Sequence, residues 1–172
     1  MRVVMPQKME YPVIKVREFL LTDREGVLAV FRSNLPTHFA DSEEPFLEKT
    51  LEGPDGPLFV VTNSNRIVGF GGYETSNFYN LSTLVWGMVH RDQHHQGLGR
   101  KLLVHRLLHM AASPDRPRYA AVDTTPHIAG FYVKSGFEVL ASWPNGYRSG
   151  FDRVDLRLEL TEDVLAELKR VN

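Results

Sequence analysis

The sequence predicts an α/β (α+β) fold, one mixed sheet bracketed by helices, and three observations lead there. Apolar residues alternate over short runs, as where Ile14, Val16 and Glu18 oppose Val13, Lys15 and Arg17. They recur every three or four positions over longer runs, as in Leu98, Leu102, Leu103, Leu107, Met110 and Ala111. The two kinds of run are interleaved as strand, two helices, several strands, helix, strand, helix, strands, with no internal repeat, linker or low-complexity segment. With 172 residues, 42% of them hydrophobic, the chain fits a single domain, residues 1–172, able to bury a continuous core. Residues 1–12 read as a loosely ordered beginning.

The elements follow in order. After the strand at Val13–Phe19, Thr22 and Glu25 have capping-box spacing ahead of the apolar stripe of Val27, Leu28 and Phe31, and that helix should end near Asn34 and Pro36. Asp41 and Glu44 repeat the start signal for a second short helix carrying Phe46, Leu47 and Leu51, closed by Gly53, Pro54, Asp55 and Gly56. Leu58–Val61 and Ile67–Tyr73 flank Asn63, Ser64 and Asn65, polar residues that suit a tight turn, so the two strands form a hairpin. Leu81–Val89 is apolar on both faces and should be central. The helix over Leu98–Ala111 stops at Ser113 and Pro114, and Arg100, Lys101, His105 and Arg106 form its basic face, on which His105 and Arg106 read as solvated. Tyr119–Val122 is a buried strand, Pro126–Lys134 a short helix, Gly136–Ala141 and Val154–Leu160 further strands, and Thr161 opens a terminal helix.

Charge and composition exclude several functions. Twenty Lys and Arg against 21 Asp and Glu give a net charge of -1, too little field to recruit nucleic acid or an anionic membrane. Without cysteine there are no disulfides, thiolate nucleophiles or Cys-based zinc sites, and a reducing, cytoplasmic location is expected. Met1–Glu10 has only short apolar pairs, unlike a signal peptide, and no stretch approaches the roughly eighteen apolar residues of a membrane span.

The sharpest local signal is His94, His95, Gln96, Gly97, Leu98, Gly99 and Arg100, between a central strand and an amphipathic helix. Glycines let backbone approach a ligand, and the free amides of a helix start carry about half a positive charge, so a diphosphate would be held there. A Gly-x-Gly is also what a tight turn needs. There is no Lys-Ser/Thr pair for a P-loop, no third glycine at dinucleotide spacing and no kinase motif set. A second segment, Gly130, Phe131, Tyr132, Val133, Lys134, Ser135, Gly136 and Phe137, lies about thirty residues on.

Together these segments resemble the GNAT superfamily of acetyl-CoA-dependent N-acetyltransferases. Gly97 and Gly99 match its phosphate-binding signature (Gln or Arg, two residues, Gly, any residue, Gly or Ala), with His94 where Gln or Arg is usual. Residues 131–137 match its Phe-Tyr-x-Lys-x-Gly-Phe segment, with Thr125 seven residues before the tyrosine where the family often has Asn. The likeness is good over residues 67–137 and weak at the ends. It implies a GNAT-like domain whose twisted, mostly antiparallel sheet carries a splayed central pair of strands, with acetyl-CoA as co-substrate. It further implies that His94, His95, Gln96, Gly97, Leu98, Gly99, Arg100 and Lys101 surround the phosphates, that Thr125 meets the pantetheine arm, and that backbone at Met88 and Val89 pairs with that arm and polarises the thioester. Tyr132 would protonate the departing thiolate.

The family often places its base in the central strand, but Leu81–Val89 has no carboxylate. Glu74, just past the end of the preceding strand, is the assigned base, with Asp123 and a water chain as alternatives. The resemblance puts Asp41, Glu43 and Glu44, with Trp143, Asn145, Tyr147 and Arg148 in a late loop, around the acceptor, a small-molecule or peptide amine. It also extends the homodimers frequent among relatives to this chain. A non-catalytic acyl-CoA-binding regulator on the same fold would bind the thioester without releasing thiol. His90, His94 and His95 suggest a histidine-metal hydrolase, but they lack a carboxylate at a recognisable spacing, so no metal is expected.

Overall fold

A computed structural model describes residues 13–76, 78–148 and 150–171, so the expected loose beginning at 1–12 lies outside the described residues. Seven strands form one sheet: β1 (Ile14–Glu18), β2 (Leu58–Asn63), β3 (Arg66–Ser76), β4 (Leu81–Val89), β5 (Tyr119–Thr124), β6 (Glu138–Arg148) and β7 (Phe151–Glu159). They lie in the order β1-β2-β3-β4-β5-β7-β6, with β4 in the middle as its two apolar faces require. Every pairing is antiparallel except β4 with β5.

Five helices cover the two faces: α1 (Arg24–Ser33), α2 (Glu44–Glu52), α3 (Leu98–Ala112), α4 (Pro126–Lys134) and α5 (Glu162–Arg170). The stripe of Val27, Leu28 and Phe31 on α1 packs with Leu47 and Leu51 of α2 over Val60, Phe70 and Met88. On the opposite face Leu102, Leu103, Leu107 and Met110 of α3 pack with Phe59, Val61, Leu156 and the Leu165 and Leu168 pair of α5. Along β2, consecutive residues serve the two cores in turn, which is why Leu58–Val61 reads as uninterrupted apolar sequence.

Four expectations are corrected. The Thr22–Glu25 capping box does not form. Asp23 caps instead, its Oδ2 accepting from the Leu20 amide at 2.8 Å while Arg17 donates to both of its oxygens at 2.7 and 2.8 Å. Glu74 lies inside β3, opposite Thr83, because the ladder with β4 holds the chain extended to Ser76. Trp143, Asn145, Tyr147 and Arg148 belong to the long strand β6, not to a loop. Arg106 is buried: α3 is covered by the sheet on one side and α5 on another, so its buried arc is wider than the leucine stripe alone indicates.

Candidate active site

The site is built where the sheet opens. β4 and β5 pair only at Leu81–Thr83 with Tyr119–Ala121; beyond that β4 runs on to Val89, while β5 continues to Thr124 paired with β7 alone. This is the splayed central pair that the family resemblance implied. On its other edge β4 carries a bulge, with Trp86 and Gly87 facing the single residue Gly71 of β3. Trp86 sits at φ 54° and is held by its indole nitrogen, which donates to Thr50 Oγ1 at 3.2 Å, and by ring contacts with Phe31 and Phe39. The bulge leaves Gly87 exposed in the opening.

At the open end of β4 the chain makes a loop and enters α3. His95 and Gly97 take left-handed conformations, φ 62° and 77°, and Gly97 is the N-cap. The first bond inside the helix runs from the Lys101 amide to the Gly97 carbonyl, so the amides of Leu98, Gly99 and Arg100 are the unpaired first-turn donors. A Cβ on Gly97 would meet nothing within 4 Å, and one on Gly99 would only touch Phe131 and Val89 at 3.8 and 3.9 Å. The space above the loop is open. Gln96, Arg100 and Lys101 are exposed around it.

His94 departs from the sequence-based picture. The His94 ring turns back, Nε2–H donating to the Val89 carbonyl at 2.8 Å, and the buried Asn34 side chain donates to the same oxygen at 2.9 Å. Val89 therefore offers no free carbonyl to a pantetheine arm, and His94 is not directed at the loop. His90 faces Arg66 and Asp92. The His94 and His95 rings stand edge to face with centres 6.2 Å apart, and among the described residues no three His, Cys, Asp or Glu come together as a metal site. His94 instead neighbours His38, from the segment after α1, and His38 neighbours His127 at the start of α4, with ring centres 5.8 and 5.6 Å apart. Burial, then His127, His94 and Arg91, hold the His38 imidazole below the ordinary histidine range. No local pattern marked His38 or His127, because the fold alone joins them.

Tyr132 is 5% exposed on α4, its ring edge-on to Phe131 and Phe137, and its hydroxyl reaches the bulge, 3.3 Å from where a Cβ on Gly87 would stand. Thr125 is the N-cap of α4, without a side-chain capping bond. Met88 is buried against α1 and α2. Asp123 is engaged: the Tyr147 hydroxyl donates to it at 2.7 Å, and burial together with that carboxylate pushes the phenol far above its usual range. The expected acceptor walls are also partly engaged, with Glu43 capping the Ala40 amide, Glu44 paired with Arg32, and the Trp143 indole donating to Asp155.

A sequence family described as acetyltransferase (GNAT) domain matches residues 24–160. The chain belongs to the GNAT family. Similar solved structures include the ribosomal-protein-S18-alanine N-acetyltransferase of Escherichia coli, at 18% identity and TM-score 0.72, covering 87% of this chain and 95% of that one. An N-acetyltransferase from Staphylococcus aureus is 14% identical with TM-score 0.69, covering 87% and 99%. An aminoglycoside 6'-N-acetyltransferase complexed with coenzyme A is also 14% identical, with TM-score 0.72, covering 86% and 97%. No protein of curated function matches the sequence. At such identities the GNAT fold is what these structures share with this chain. Among the described residues no helix of this GNAT domain is long and apolar enough to cross a membrane.

Proposed function

We propose that this chain transfers the acetyl group of acetyl-CoA to a primary amine by direct attack on the thioester. The observation that carries the reading is the opening between β4 and β5, with free helix-start amides at its end and the Tyr132 hydroxyl at its floor. The residues fit a CoA thioester. The amides of Leu98, Gly99 and Arg100, with Gln96, Gly97, Arg100 and Lys101 around them, suit a diphosphate, and a related fold has been solved with coenzyme A. Acetyl-CoA supplies the activated acyl group; the protein supplies orientation, exclusion of water and the movement of protons.

In this reading the open edge of β4 at Gly87 and Met88 aligns the pantetheine arm and Thr125 borders it. Donors aimed at the thioester oxygen supply what is usually the largest catalytic contribution. Tyr132 gives its proton to the sulfur. Two groups are candidates for the proton leaving the amine: exposed Glu74 on β3, and His38, whose depressed basicity keeps it a neutral acceptor near pH 7. The acceptor is a small-molecule or peptide amine, the location cytoplasmic, and a homodimer the proposed assembly.

The test is release of CoA thiol on incubation with acetyl-CoA and a panel of primary amines, beside calorimetry with CoA thioesters. Release with at least one amine is expected. Binding without release from any amine would favour the regulator reading, and folded protein with no affinity for any CoA thioester would end both.

A further inference from the structure

Arg106 is 2% exposed and is the largest fully buried side chain among the described residues. No carboxylate among those residues meets it. Its Nη1 donates over long distances to the Gly72 and Val85 carbonyls, 3.3 and 3.4 Å, and its Nε has no partner. A buried ion without a counter-ion carries a desolvation penalty of several kcal/mol, and burial accordingly pulls this guanidinium below the ordinary arginine range, with the Tyr132 oxygen opposing.

The surrounding sequence makes room for it. A Cβ on Gly71 would stand 3.0 Å from Nη1, and one on Gly87 would stand 3.1 Å from Nη2 and 3.3 Å from the Tyr132 hydroxyl. Arg106 from α3 and Tyr132 from α4 therefore converge on one notch at the β4 bulge, beside the opening. The other titratable groups nearby face elsewhere. His105 lies against Phe59, His109 accepts or donates at the Tyr73 hydroxyl, and Asp123 of β5 holds Tyr147.

We infer that Arg106 is the fixed positive charge of the acyl-transfer site, holding the Tyr132 hydroxyl by its oxygen so that the phenolic proton faces the opening, and stabilising the negative charge that develops there. The inference rests on the acetyltransferase reading. In the step it serves, the amine nitrogen bonds to the acyl carbon, the bond from that carbon to sulfur breaks, and its electron pair stays on sulfur. Sulfur takes the phenolic proton, and the phenolate regains one from the proton released by the attacking amine. The guanidinium stays beside the phenol oxygen while that oxygen carries negative charge. Arg106 acts through Tyr132 and is thus a positioning residue.

The experiment compares wild type, Arg106→Met and Arg106→Lys with acetyl-CoA and with S-phenyl thioacetate, whose thiol is a better leaving group. Arg106→Met should lower kcat with acetyl-CoA by about 10²- to 10³-fold, the loss typical of one preorganised electrostatic donor, with little change in KM. The loss of kcat/KM on S-phenyl thioacetate should be much smaller, because that sulfur needs less help to depart. Folding should persist, since the substitution removes a buried charge that has no counter-ion. Arg106→Lys should fall between wild type and Arg106→Met with the same bias, and it decides the matter if the Met variant does not fold. Unchanged kcat, or equal losses with the two thioesters, would overturn the inference while leaving the acetyltransferase reading intact. A wild type that releases no thiol with any amine would remove both.

Discussion

Tyr132 and His38 are the two side chains whose surroundings make the sharpest chemical statements. The Tyr132 ring is fixed by Phe131 and Phe137, so its phenol can be altered without loosening α4. Tyr132→Phe should retain the fold and lower turnover at saturating acetyl-CoA by about 10²- to 10⁴-fold, the span of a positioned general acid. Unchanged turnover would make the tyrosine ordinary packing. For His38, burial and two neighbouring imidazoles disfavour the protonated form. If it is the base, activity needs it neutral, so the acidic limb of the pH profile should lie below the unperturbed histidine value of about 6.5, beyond the acceptor's own titration. His38→Gln should abolish that limb and Glu74→Gln should leave it. The reverse pattern assigns the base to Glu74.

At the scale of elements, the loop into α3 and the opening of β4 matter most. The loop reverses direction through two left-handed residues, His95 and Gly97, and delivers free amides at the level where β5 has already left β4. At Gly99 an added Cβ would make only ordinary contacts, with Phe131 and Val89. Gly99→Val should therefore weaken acetyl-CoA binding by at least about tenfold, or 1.4 kcal/mol, with the unfolding midpoint little moved. Calorimetry and a melting curve on the same sample decide it, and equal affinity would detach the loop from the phosphates.

For the molecule as a whole, the two helical layers share one sheet, with β2 contributing Phe59 and Val61 to one core and Leu58 and Val60 to the other. Unfolding should be one cooperative transition that a ligand of the opening shifts upward. Acetyl-CoA at about 100 times its dissociation constant adds about 2.7 kcal/mol to stability. For a domain of this size that corresponds to a rise of about 5–10 °C in Tm. A melting temperature indifferent to acetyl-CoA, at any concentration to saturation of the assay, would show that the opening does not bind it.

What could be read from residue order was whatever a short window contains. The helix over Pro126–Lys134, the Asn-rich turn before β3, the Thr161 cap of α5 and the two-faced apolar run of β4 follow from periodicity and capping chemistry, which act between near neighbours. The glycine loop and the tyrosine segment were legible because each is contiguous. Long-range pairing settled the rest. β5 takes β7 as its second neighbour, the Glu74 backbone continues as strand, and His38 meets His94 and His127 only after α1 and α4 are docked. Arg106 is the clearest instance: its helical position resembles a solvated one, and the space that receives it is formed by glycines of two strands far away in the chain. Burial depends on what stands opposite a side chain, and no local pattern carries that information.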